Sequence, residues 1–392
     1  MKEDWITKRL DEACEMYQPK TISKKEMVDD GEYLVFGANG VIGKYDQFNH
    51  EEPQLLITCR GASCGSVNIS KPKSWINGNA MVIRPKNNMI DLNFLVYLFR
   101  GGIDLSKITT GAAQPQITRQ SLNPIEISYP KFIYEQQRIV SLLDRAFTAM
   151  DQAKVNAEKN LQNAAALFES YLQDVFENQG KDWEEKRLED VCQIVNGGTP
   201  KSKVNEYWNG HINWITPADL GKLKTVLVSD TTRKITDLGL QKSSAKLFPE
   251  NSIILSTRAP IGHLAINTVP MSTNQGCRGI VPNGELDIWF LYYFLKGNIK
   301  LLNYLGSGTT FLELSTKKLG SVNIPLPPIT KQKTIIGNLN SLQEEIQKLE
   351  TLYQKKIDAL DELKKSLLEK AFEGELHDDE ATRLKIENEL PL

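Results

Sequence analysis

The sequence lacks the features that identify several large classes of protein. It has no run of about 18 apolar residues, so no membrane-spanning helix is predicted. Its first residues, Met1-Lys-Glu-Asp-Trp5, lack the apolar core of a signal peptide. The five cysteines form no Cys-x-x-Cys pair, and the four histidines are scattered. These absences predict a cytoplasmic protein whose cysteines are reduced, small buried side chains, without a disulfide framework or a metal site.

Motifs of common catalytic sites are also absent. There is no Gly-x-Gly-x-x-Gly, and Gly37-Ala-Asn-Gly-Val-Ile-Gly-Lys44 has neither the spacing nor the Ser/Thr of a phosphate-binding loop. Asn123-Pro-Ile125 departs from the Asn/Asp-Pro-Pro-aromatic motif of amino-methyltransferases. Asp182-Trp-Glu184 resembles a fragment of a metal nuclease, but it lies in a charged linker. We therefore expect a chain that performs no chemistry by itself.

An excess of positive charge is missing as well. The formal net charge is −2, and it is unevenly distributed: residues 1–133 carry +1, 134–182 carry −3, 183–329 carry +4 and 330–392 carry −4. A chain of this balance is a weak electrostatic match for a polyanion. Binding of DNA would therefore need a more basic partner.

What the sequence does contain is an internal repeat. Trp5-x-x-Lys-Arg-Leu-x-x-x-Cys14 returns as Trp183-x-x-Lys-Arg-Leu-x-x-x-Cys192, and Asp91-x-x-Phe-Leu-x-Tyr97 returns as Asp287-x-x-Phe-Leu-x-Tyr293. The offset is 178 residues at the first pair and 196 at the second, so the second copy is 18 residues longer early on. A repeat of this length fixes the architecture. It predicts two globular domains, each followed by a long helix.

The two predicted helices have matching apolar stripes with alternating steps of three and four. The first stripe consists of Leu143, Phe147, Met150, Ala157, Leu161, Ala164, Phe168, Tyr171 and Val175, with Lys154 as its single polar interruption. The second consists of Leu339, Leu342, Ile346, Leu349, Tyr353, Ile357, Leu360, Leu363, Leu367 and Ala371. This is coiled-coil periodicity. Two stripes of equal length predict an antiparallel pair within the chain, with a pseudo-twofold axis and the domains at opposite ends. Separate helices for separate partners, or an intermolecular coiled coil, are the alternatives.

The predicted fold class is α+β, with two mixed α/β domains joined by two long antiparallel coiled-coil helices. Leu55–Thr58 and Ile253–Ser256 read as buried strands, Phe94–Phe99 and Phe290–Leu295 as short helices that stop before glycine, and 124–130 and 322–328 as edge strands. The predicted divisions are a first domain (1–133), a central helix (134–182), a second domain (183–329), a C-terminal helix (330–376) and a charged tail (377–392).

Three loops in each copy carry residues that can read bases. Arg60-Gly-Ala-Ser-Cys-Gly65 corresponds to Arg258-Ala-Pro-Ile-Gly262, Ile76-Asn-Gly-Asn79 to Thr273-Asn-Gln-Gly276, and Gly111-Ala-Ala-Gln-Pro-Gln116 to Gly308-Thr-Thr-Phe311. Arg, Asn and Gln form bidentate hydrogen bonds with guanine and adenine edges. For any single residue, a loop-capping role is an equal alternative. The candidate DNA-contacting residues are Arg60, Ser63, Asn77, Asn79, Gln114, Gln116, the Thr199 that precedes Pro200, Arg258, Asn274, Gln275, Arg278, Thr309 and Thr310.

Taken together, these motifs resemble the DNA-specificity subunit of a Type I restriction–modification system over almost the full length. The resemblance also includes Gly197-Gly-Thr-Pro200, Trp214-Ile-Thr-Pro-Ala-Asp219, Ser256-Thr-Arg258 with Gly262, and Glu135-Gln-Gln-Arg-Ile-Val140. The start of the second helix, Lys331-Gln-Lys-Thr-Ile-Ile336, departs from the family's acidic-Gln-Gln-Arg pattern.

This resemblance implies two target-recognition domains that read an asymmetric bipartite site in double-stranded DNA. It also implies two methyltransferase subunits and two restriction/translocase subunits as partners. Those partners would bind S-adenosylmethionine, ATP and Mg²⁺ and would methylate adenine N6, while no cofactor is expected in this chain. The length of the helices would set the gap between half-sites. The alternatives are an adaptor whose domains bind protein, and a cryptic nuclease or methyltransferase.

Overall fold

The computed structural model describes residues 4–111, 114–308 and 312–376. The chain forms two compact units, one of Met1–Lys159 with Tyr353–Leu392 and one of Asn160–Leu352. Two 45-residue helices, α4 (Ile133–Glu177) and α11 (Ile329–Glu373), contribute a segment to each unit. Within the described ranges, no helix combines the length and hydrophobicity needed to cross a bilayer. The predicted charged tail, 377–392, lies outside the described residues.

Unit 1 contains the first globular domain, built on three small sheets. Its strands are β1 (Trp5–Arg9), β2 (Cys14–Tyr17), β3 (Tyr33–Gly37), β4 (Gly40–Tyr45), β5 (Leu55–Thr58), β6 (Val67–Ile69), β7 (Trp75–Ile76), β8 (Ala80–Pro85) and β9 (Glu126–Pro130). They are ordered β2-β8-β5-β6, β4-β3-β7 and β1-β9. The predicted buried strand is β5, which lies inside the largest sheet, and the predicted edge strand is β9, which pairs with β1 alone.

Short helices connect these strands. They are α1 (Leu10–Ala13), α2 (Leu92–Tyr97), a π-helical turn (Leu98–Gly102), a 3-10 turn (Leu105–Ile108) and α3 (Arg119–Leu122). The carboxylate of Asp91 caps α2 by accepting from the backbone N–H groups of Asn93 and Phe94 at 2.9 and 3.0 Å. A side-chain acceptor at this position satisfies N–H groups that the helix itself leaves unpaired. The repeated aspartate therefore marks a helix start.

Unit 2 repeats this plan with additions. Its strands are β10 (Glu184–Arg187), β11 (Cys192–Asn196), β12 (Trp208–Ile215), β13 (Leu227–Val228), β14 (Arg233–Ile235), β15 (Ile253–Thr257), β16 (Ile261–Asn267), β17 (Met271–Thr273), β18 (Cys277–Pro282) and β19 (Asn323–Leu326). Its short helices are α5 (Leu188–Val191), a 3-10 turn (Asn205–Tyr207), α6 (Pro217–Leu220), α7 (Asp237–Gln241), α8 (Ile288–Gly297), α9 (Ile299–Leu305) and α10 (Thr316–Gly320). The sheets are β11-β18-β15-β16-β13, β14-β12-β17 and β10-β19. The larger second copy therefore gains an edge strand, β13, and the helices α6 and α7.

The residues that define the repeat form corresponding parts of each core. Trp5 packs edge-on against Phe94 with ring centroids 6.3 Å apart, and Trp183 packs against Phe290 at 6.1 Å. The leucine of each Lys-Arg-Leu triplet opens a short helix and is fully buried. Aromatic pairs in this geometry add to the stability gained by burial. The predicted internal repeat is therefore confirmed in the element order and in the packing of each unit.

The segments of α4 and α11 in unit 1 run antiparallel. Lys154 Nζ lies 2.6 Å from Asp361 Oδ2, and Lys364 Nζ lies 3.0 Å from Asp151 Oδ1. The later residue of α4 thus pairs with the earlier residue of α11, as in an antiparallel pair. Apolar residues from both helices join the core of the globular domain, namely Leu143, Ala146, Phe147, Met150, Leu360, Leu367, Leu368, Ala371 and Phe372. The predicted antiparallel helix pair is confirmed, although its apolar stripe also packs on the domain. Such an apolar face is wider than a coiled-coil seam.

Unit 2 shows the same use of the helices. Ala164, Phe168, Leu172 and Phe176 of α4 share a core with Leu339 and Ile346 of α11 and with residues of α8. Leu172 and Phe176 were not in the predicted stripe, and Leu349, which was, is 40% exposed. The period of the stripe alone could not identify these positions because the globular domain covers a second face of the helix.

The prediction that the short helices stop before glycine was wrong. The helical turns continue through Gly101 and Gly102 in unit 1, and α8 includes Gly297. A Cβ at Gly101 would lie 2.6 Å from Leu368 Cδ1, and one at Gly297 would lie 3.2 Å from Leu172 Cγ. These glycines let a long helix approach closely, which was not evident from their positions after an apolar run.

One buried glutamine ties each globular domain to its long helix. Gln136 is fully buried; its Oε1 accepts from Asp91 N at 2.8 Å, and its Nε2 donates to Met89 O and Pro130 O at 2.9 and 2.8 Å. Gln332 is also fully buried, and it accepts from Asp287 N and donates to Glu285 O and Pro327 O at 2.8 to 2.9 Å. Buried amides are stable only when paired in this way.

Candidate nucleic-acid interface

The predicted reading loops of unit 1 lie next to one another. Arg60, Asn79 and Gln114 line one surface cavity of about 370 Å³, together with Gln18, Ala38 and neighbouring backbone. These residues come from three separate loops, after β5, after β7 and before α3. The structure therefore brings together side chains that the sequence singled out loop by loop.

A backbone bridge joins two of these loops. Ile117 N donates to Cys59 O at 2.9 Å and Gly61 N donates to Pro115 O at 3.1 Å, which sets Arg60 opposite Gln116. Gln116 in turn exchanges both backbone hydrogen bonds with Thr110. The loop from Thr110 to Gln116 is therefore closed at its base and attached to the arginine loop.

The neighbouring Asn77 has a different role from the one predicted. It is only 2% exposed. Its Oδ1 accepts from Ile22 N at 2.8 Å and from Trp75 Nε1 at 3.2 Å, and its Nδ2 donates to Ile22 O at 3.1 Å. A contact with a base would require these bonds to break, so Asn77 positions the chain around Ile22. Asn79, two residues later, is exposed and lines the cavity.

The segment held by Asn77 is basic. It carries Lys20, Lys24 and Lys25, all exposed, and Thr21 Oγ1 accepts from Gly78 N at 3.2 Å. The segment follows Gln18, which lines the Arg60 cavity, and it also carries the carboxylate of Glu26. Local positive charge is what a phosphate backbone requires.

Unit 2 contains the same bridged loops. Leu314 N donates to Thr257 O at 2.9 Å, and Glu313 exchanges both backbone bonds with Ser307, which sets Arg258 opposite Glu313. The partner of Arg258 is thus a glutamate where unit 1 has Gln116. The sequence comparison missed Glu313 because it ended the second loop at Phe311, two residues too early. The following Ile117-Thr118 and Leu314-Ser315, which lead into α3 and α10, extend the alignment of the two loops.

Glu313 lies between two arginines. Its Oε2 is 3.9 Å from Arg258 Nη1, and its Oε1 is 3.7 Å from Arg278 Nη2. Arg278 is buried, and it donates to Thr316 Oγ1 at 3.1 Å, to Gln275 O at 2.8 Å and to Cys277 O at 3.0 Å. Burial lowers the pKa of Arg278, and the carboxylate of Glu313 opposes that shift. Arg278 therefore supports the loops, whereas Arg258 is the more exposed of the two.

Among the remaining candidates, some side chains are exposed and others shape their own loop. Thr199 donates through its hydroxyl to Gln275 Oε1, and both residues are exposed. Asn274 uses its Oδ1 to accept from Gly276 N at 2.9 Å, so it shapes its own turn. In unit 1, Ser63 is half-buried and its backbone carbonyl accepts from Ser66 N. Thr309 and Thr310 lie outside the described residues.

A double glycine places a lysine-bearing loop beside Thr199 and Gln275. A Cβ at Gly197 would lie 1.9 Å from Asn274 O, and one at Gly198 would lie 2.2 Å from Ala245 N. Only glycine allows this approach. Trp214 Nε1 fixes the turn by donating to Gly198 O at 2.9 Å. Lysines at 201, 203, 242 and 246 are exposed on the two segments that meet there.

The burial of the cysteines is what a structural role in each unit requires. Cys14, Cys59, Cys192 and Cys277 are buried, and all five thiols are free. Burial raises the pKa of Cys14 and Cys192 to about 12, which keeps these thiols protonated. Among the residues that the structure describes, no group of three or more His, Cys, Asp and Glu side chains is arranged to hold a metal ion.

Comparison with known proteins gives one family. The model of the Type I restriction modification DNA specificity domain matches residues 2–161 and again 180–358. The chain is 37% identical over 180 residues to the Type I restriction enzyme MjaIX specificity subunit of Methanocaldococcus jannaschii, an alignment that covers 45% of this chain and 42% of that protein. The matched region thus spans less than half the length of that relative.

Two solved structures share the fold. A chain from work on complex assembly and conformational transition of the type I R-M system is 21% identical with a TM-score of 0.76, covering 95% of this chain and 99% of that one. The HsdS subunit from Thermoanaerobacter tengcongensis is 20% identical with a TM-score of 0.64, covering 95% and 98%. The family model matches both copies of the repeat and most of the chain, so this protein belongs to the family of Type I restriction modification DNA specificity domains.

Proposed function

We propose that this chain reads an asymmetric, bipartite DNA target, with one half-site for each unit. The observation that carries this proposal is the pair of bridged loops. Arg60 faces Gln116 in unit 1, and Arg258 faces Glu313 in unit 2, on the same backbone frame. Two matching frames with different side chains present different hydrogen-bonding groups to base edges. The expected result is two half-sites of different sequence.

In this proposal, phosphate contacts come from the lysine loops and base contacts from the bridged loops. The exposed lysines near Asn77 and near Gly198 would position the duplex without reading its sequence. Arg60 and Arg258, with the exposed Asn79 and Gln275 beside them, would read the major groove. Because the net charge of the chain is −2, much of the electrostatic attraction would come from partner subunits.

We further infer a non-catalytic scaffold. The family implies two methyltransferase subunits and two restriction/translocase subunits as partners. These would bind S-adenosylmethionine, ATP and Mg²⁺ and carry out adenine methylation and cleavage. The role of this chain would be to hold DNA while a methyltransferase subunit extrudes the target base.

The test compares Arg60→Ala and Arg258→Ala in the full chain, assembled with its methyltransferase subunits. The complex is first allowed to select its target from randomised duplexes, and each variant is then measured on duplexes altered in one half-site. Each variant should lose about 1–3 kcal/mol of discrimination in one half-site only. Arg9→Ala and Arg187→Ala are matched controls, because these arginines are exposed at repeat-equivalent positions on β1 and β10, outside the loops.

Selection of no preferred sequence by the wild-type complex would contradict DNA recognition and favour an adaptor that binds protein. Methylation or cleavage by the purified chain alone would contradict the non-catalytic assignment. Equal losses in both half-sites from a single arginine would contradict independent reading by the two units.

A further inference from the structure

We propose that the residue facing each loop arginine is a second base-reading group: Glu313 accepts a hydrogen bond from cytosine N4, and Gln116 forms a bidentate pair with adenine N6 and N7. This inference rests on the proposed DNA recognition. It assigns to unit 2 a guanine–cytosine preference from Arg258 and Glu313, and to unit 1 a guanine–adenine preference from Arg60 and Gln116.

The equivalence of Gln116 and Glu313 follows from hydrogen bonds and agrees with the sequence, because each lies five residues after the glycine of its loop, Gly111 or Gly308. Gln116 exchanges backbone bonds of 2.8 and 2.9 Å with Thr110, and Glu313 exchanges bonds of 3.0 and 3.1 Å with Ser307. Both close loops of equal length, and both stand opposite the arginine that follows an interior strand of the main sheet, β5 or β15. Directly opposed residues in antiparallel backbone lie close enough for their side chains to act on one ligand.

A carboxylate on a DNA-binding surface repels the phosphate backbone, so its presence at this position favours a contact with a base rather than with phosphate. Glu313 is half-exposed, and its carboxylate lies 3.7 and 3.9 Å from the two guanidinium groups. Both distances are too long for a hydrogen bond, so the two guanidinium groups hold the carboxylate by electrostatic attraction. The carboxylate oxygens can therefore still accept a hydrogen bond from a base. Among base edges in the major groove, the N4 amino group of cytosine is a donor that glutamate characteristically reads.

The same geometry offers a competing, purely structural role. Arg278 is buried, and Glu313 is the carboxylate beside it. Unit 1 has neither charge: the position matching Arg278 is Met81, because Met81 pairs with Ile57 on β5 as Arg278 pairs with Leu255 on β15. Unit 1 thus has the neutral pair Met81 and Gln116. An experiment must therefore separate loss of charge compensation from loss of a base contact.

The experiment uses the full chain assembled with its methyltransferase subunits. Wild type first selects its target from randomised duplexes, and the selection is repeated with E313Q and with Q116E. E313Q should change one position of the second half-site from cytosine towards adenine, with discrimination shifting by about tenfold or more. Q116E should make the reverse change at one position of the first half-site. E285Q is the matched control: it removes a carboxylate that pairs with Lys186 at 2.7 Å, outside the loops, and should leave the motif unchanged.

A further variant, R278M/E313Q, copies the neutral pair of unit 1. It removes the uncompensated buried arginine that E313Q leaves behind, and its base preference should match that of E313Q. Uniform loss of affinity in E313Q without a changed position would overturn the proposal, as would return of the wild-type preference in R278M/E313Q. If wild type selects a bipartite motif that neither E313Q nor Q116E alters, DNA recognition stands and this assignment fails.

Discussion

Asn77 and Asn79 stand two residues apart, and both were predicted from the sequence to read bases. The structure predicts opposite outcomes when each is replaced by alanine. Asn77 is 2% exposed and its amide makes three hydrogen bonds, whereas Asn79 is exposed at the Arg60 cavity. Asn77→Ala should therefore destabilise unit 1, and Asn79→Ala should leave its stability within about 0.5 kcal/mol of wild type.

The expected magnitude follows from the groups that lose their partner. Asn77→Ala leaves the N–H and C=O of Ile22 unpaired, and Ile22 is 3% exposed. An unsatisfied buried polar group costs about 1–3 kcal/mol, which gives about 2–4 kcal/mol after allowance for partial relaxation. Trp75 Nε1 also loses an acceptor, but Trp75 is only half-buried and water can replace the bond. Release of the segment around Ile22 should also move its three lysines and weaken DNA binding equally on all sequences.

Urea unfolding followed by intrinsic fluorescence measures the first effect, and competition binding on cognate and altered duplexes measures the second. Asn77→Ala should show a lower midpoint of unfolding and a uniform loss of affinity. Asn79→Ala should show an unchanged midpoint and, if it reads a base, a loss of discrimination in the first half-site alone. A stable Asn77→Ala variant with altered sequence preference would refute this reasoning, because the side chain would then be a base reader.

Other predictions concern the framework. Gln136→Leu and Gln332→Leu each leave three backbone groups without their partner, one of them buried and two part-buried, and should each cost about 1–3 kcal/mol; the exposed Gln152→Leu is the control, and equal unfolding midpoints would contradict the assigned bonds. Gly101→Val places atoms within 2.6 Å of Leu368 and should cost about 1–3 kcal/mol, while Gly284→Ala, with no atom within 4 Å, should be neutral by thermal unfolding. Burial, aided by Arg84, lowers the pKa of His50 from its ordinary 6.5, so the folded state favours the neutral ring. The resulting stability is present above pH 6.5 and lost as the pH falls through the folded pKa, and urea midpoints of wild type and His50→Gln should diverge at neutral pH and converge in acid.

Much of the fold could be predicted because the repeat constrains it. The motifs that contain Trp5, Leu10 and Asp91 recur with their internal spacing, and in the structure these residues form a core contact, a buried helix start and a helix cap in each unit. Such residues have the same neighbours in both copies, so their pattern survives in the sequence. The long helices were equally evident from their periodicity. The role of Gly101 was not, since a glycine after an apolar run looks like a helix end until the packing partner is known.

The site was predictable only to the level of loops. Arg60, Asn79 and Gln114, which the loop comparison singled out one loop at a time, line one cavity. The separation of Asn77 from Asn79 depends on Ile22, which lies 55 residues away in sequence. Likewise, Glu313 was overlooked because its neighbours in sequence gave no indication that Arg258 and Arg278 would flank it. Local composition predicts which side chains are polar, whereas long-range contacts decide which of them remain available.

Under the proposed DNA recognition, the distribution of repeated and divergent residues would let such a chain change specificity without losing its fold. The groups that hold each unit together, Gln136 and Gln332 among them, are buried and bonded to backbone atoms that any loop sequence would provide. The groups proposed to meet DNA lie on bridged loops whose backbone bonds are independent of side-chain identity. In unit 2 the negative charge of Glu313 is accompanied by the buried positive charge of Arg278. In unit 1 the neutral Gln116 is accompanied by Met81, which carries no charge. A change from glutamine to glutamate at this position therefore involves only one buried neighbour. Divergence between the two units would then proceed at the loops while the framework stays fixed, which is the property that two independent reading heads require.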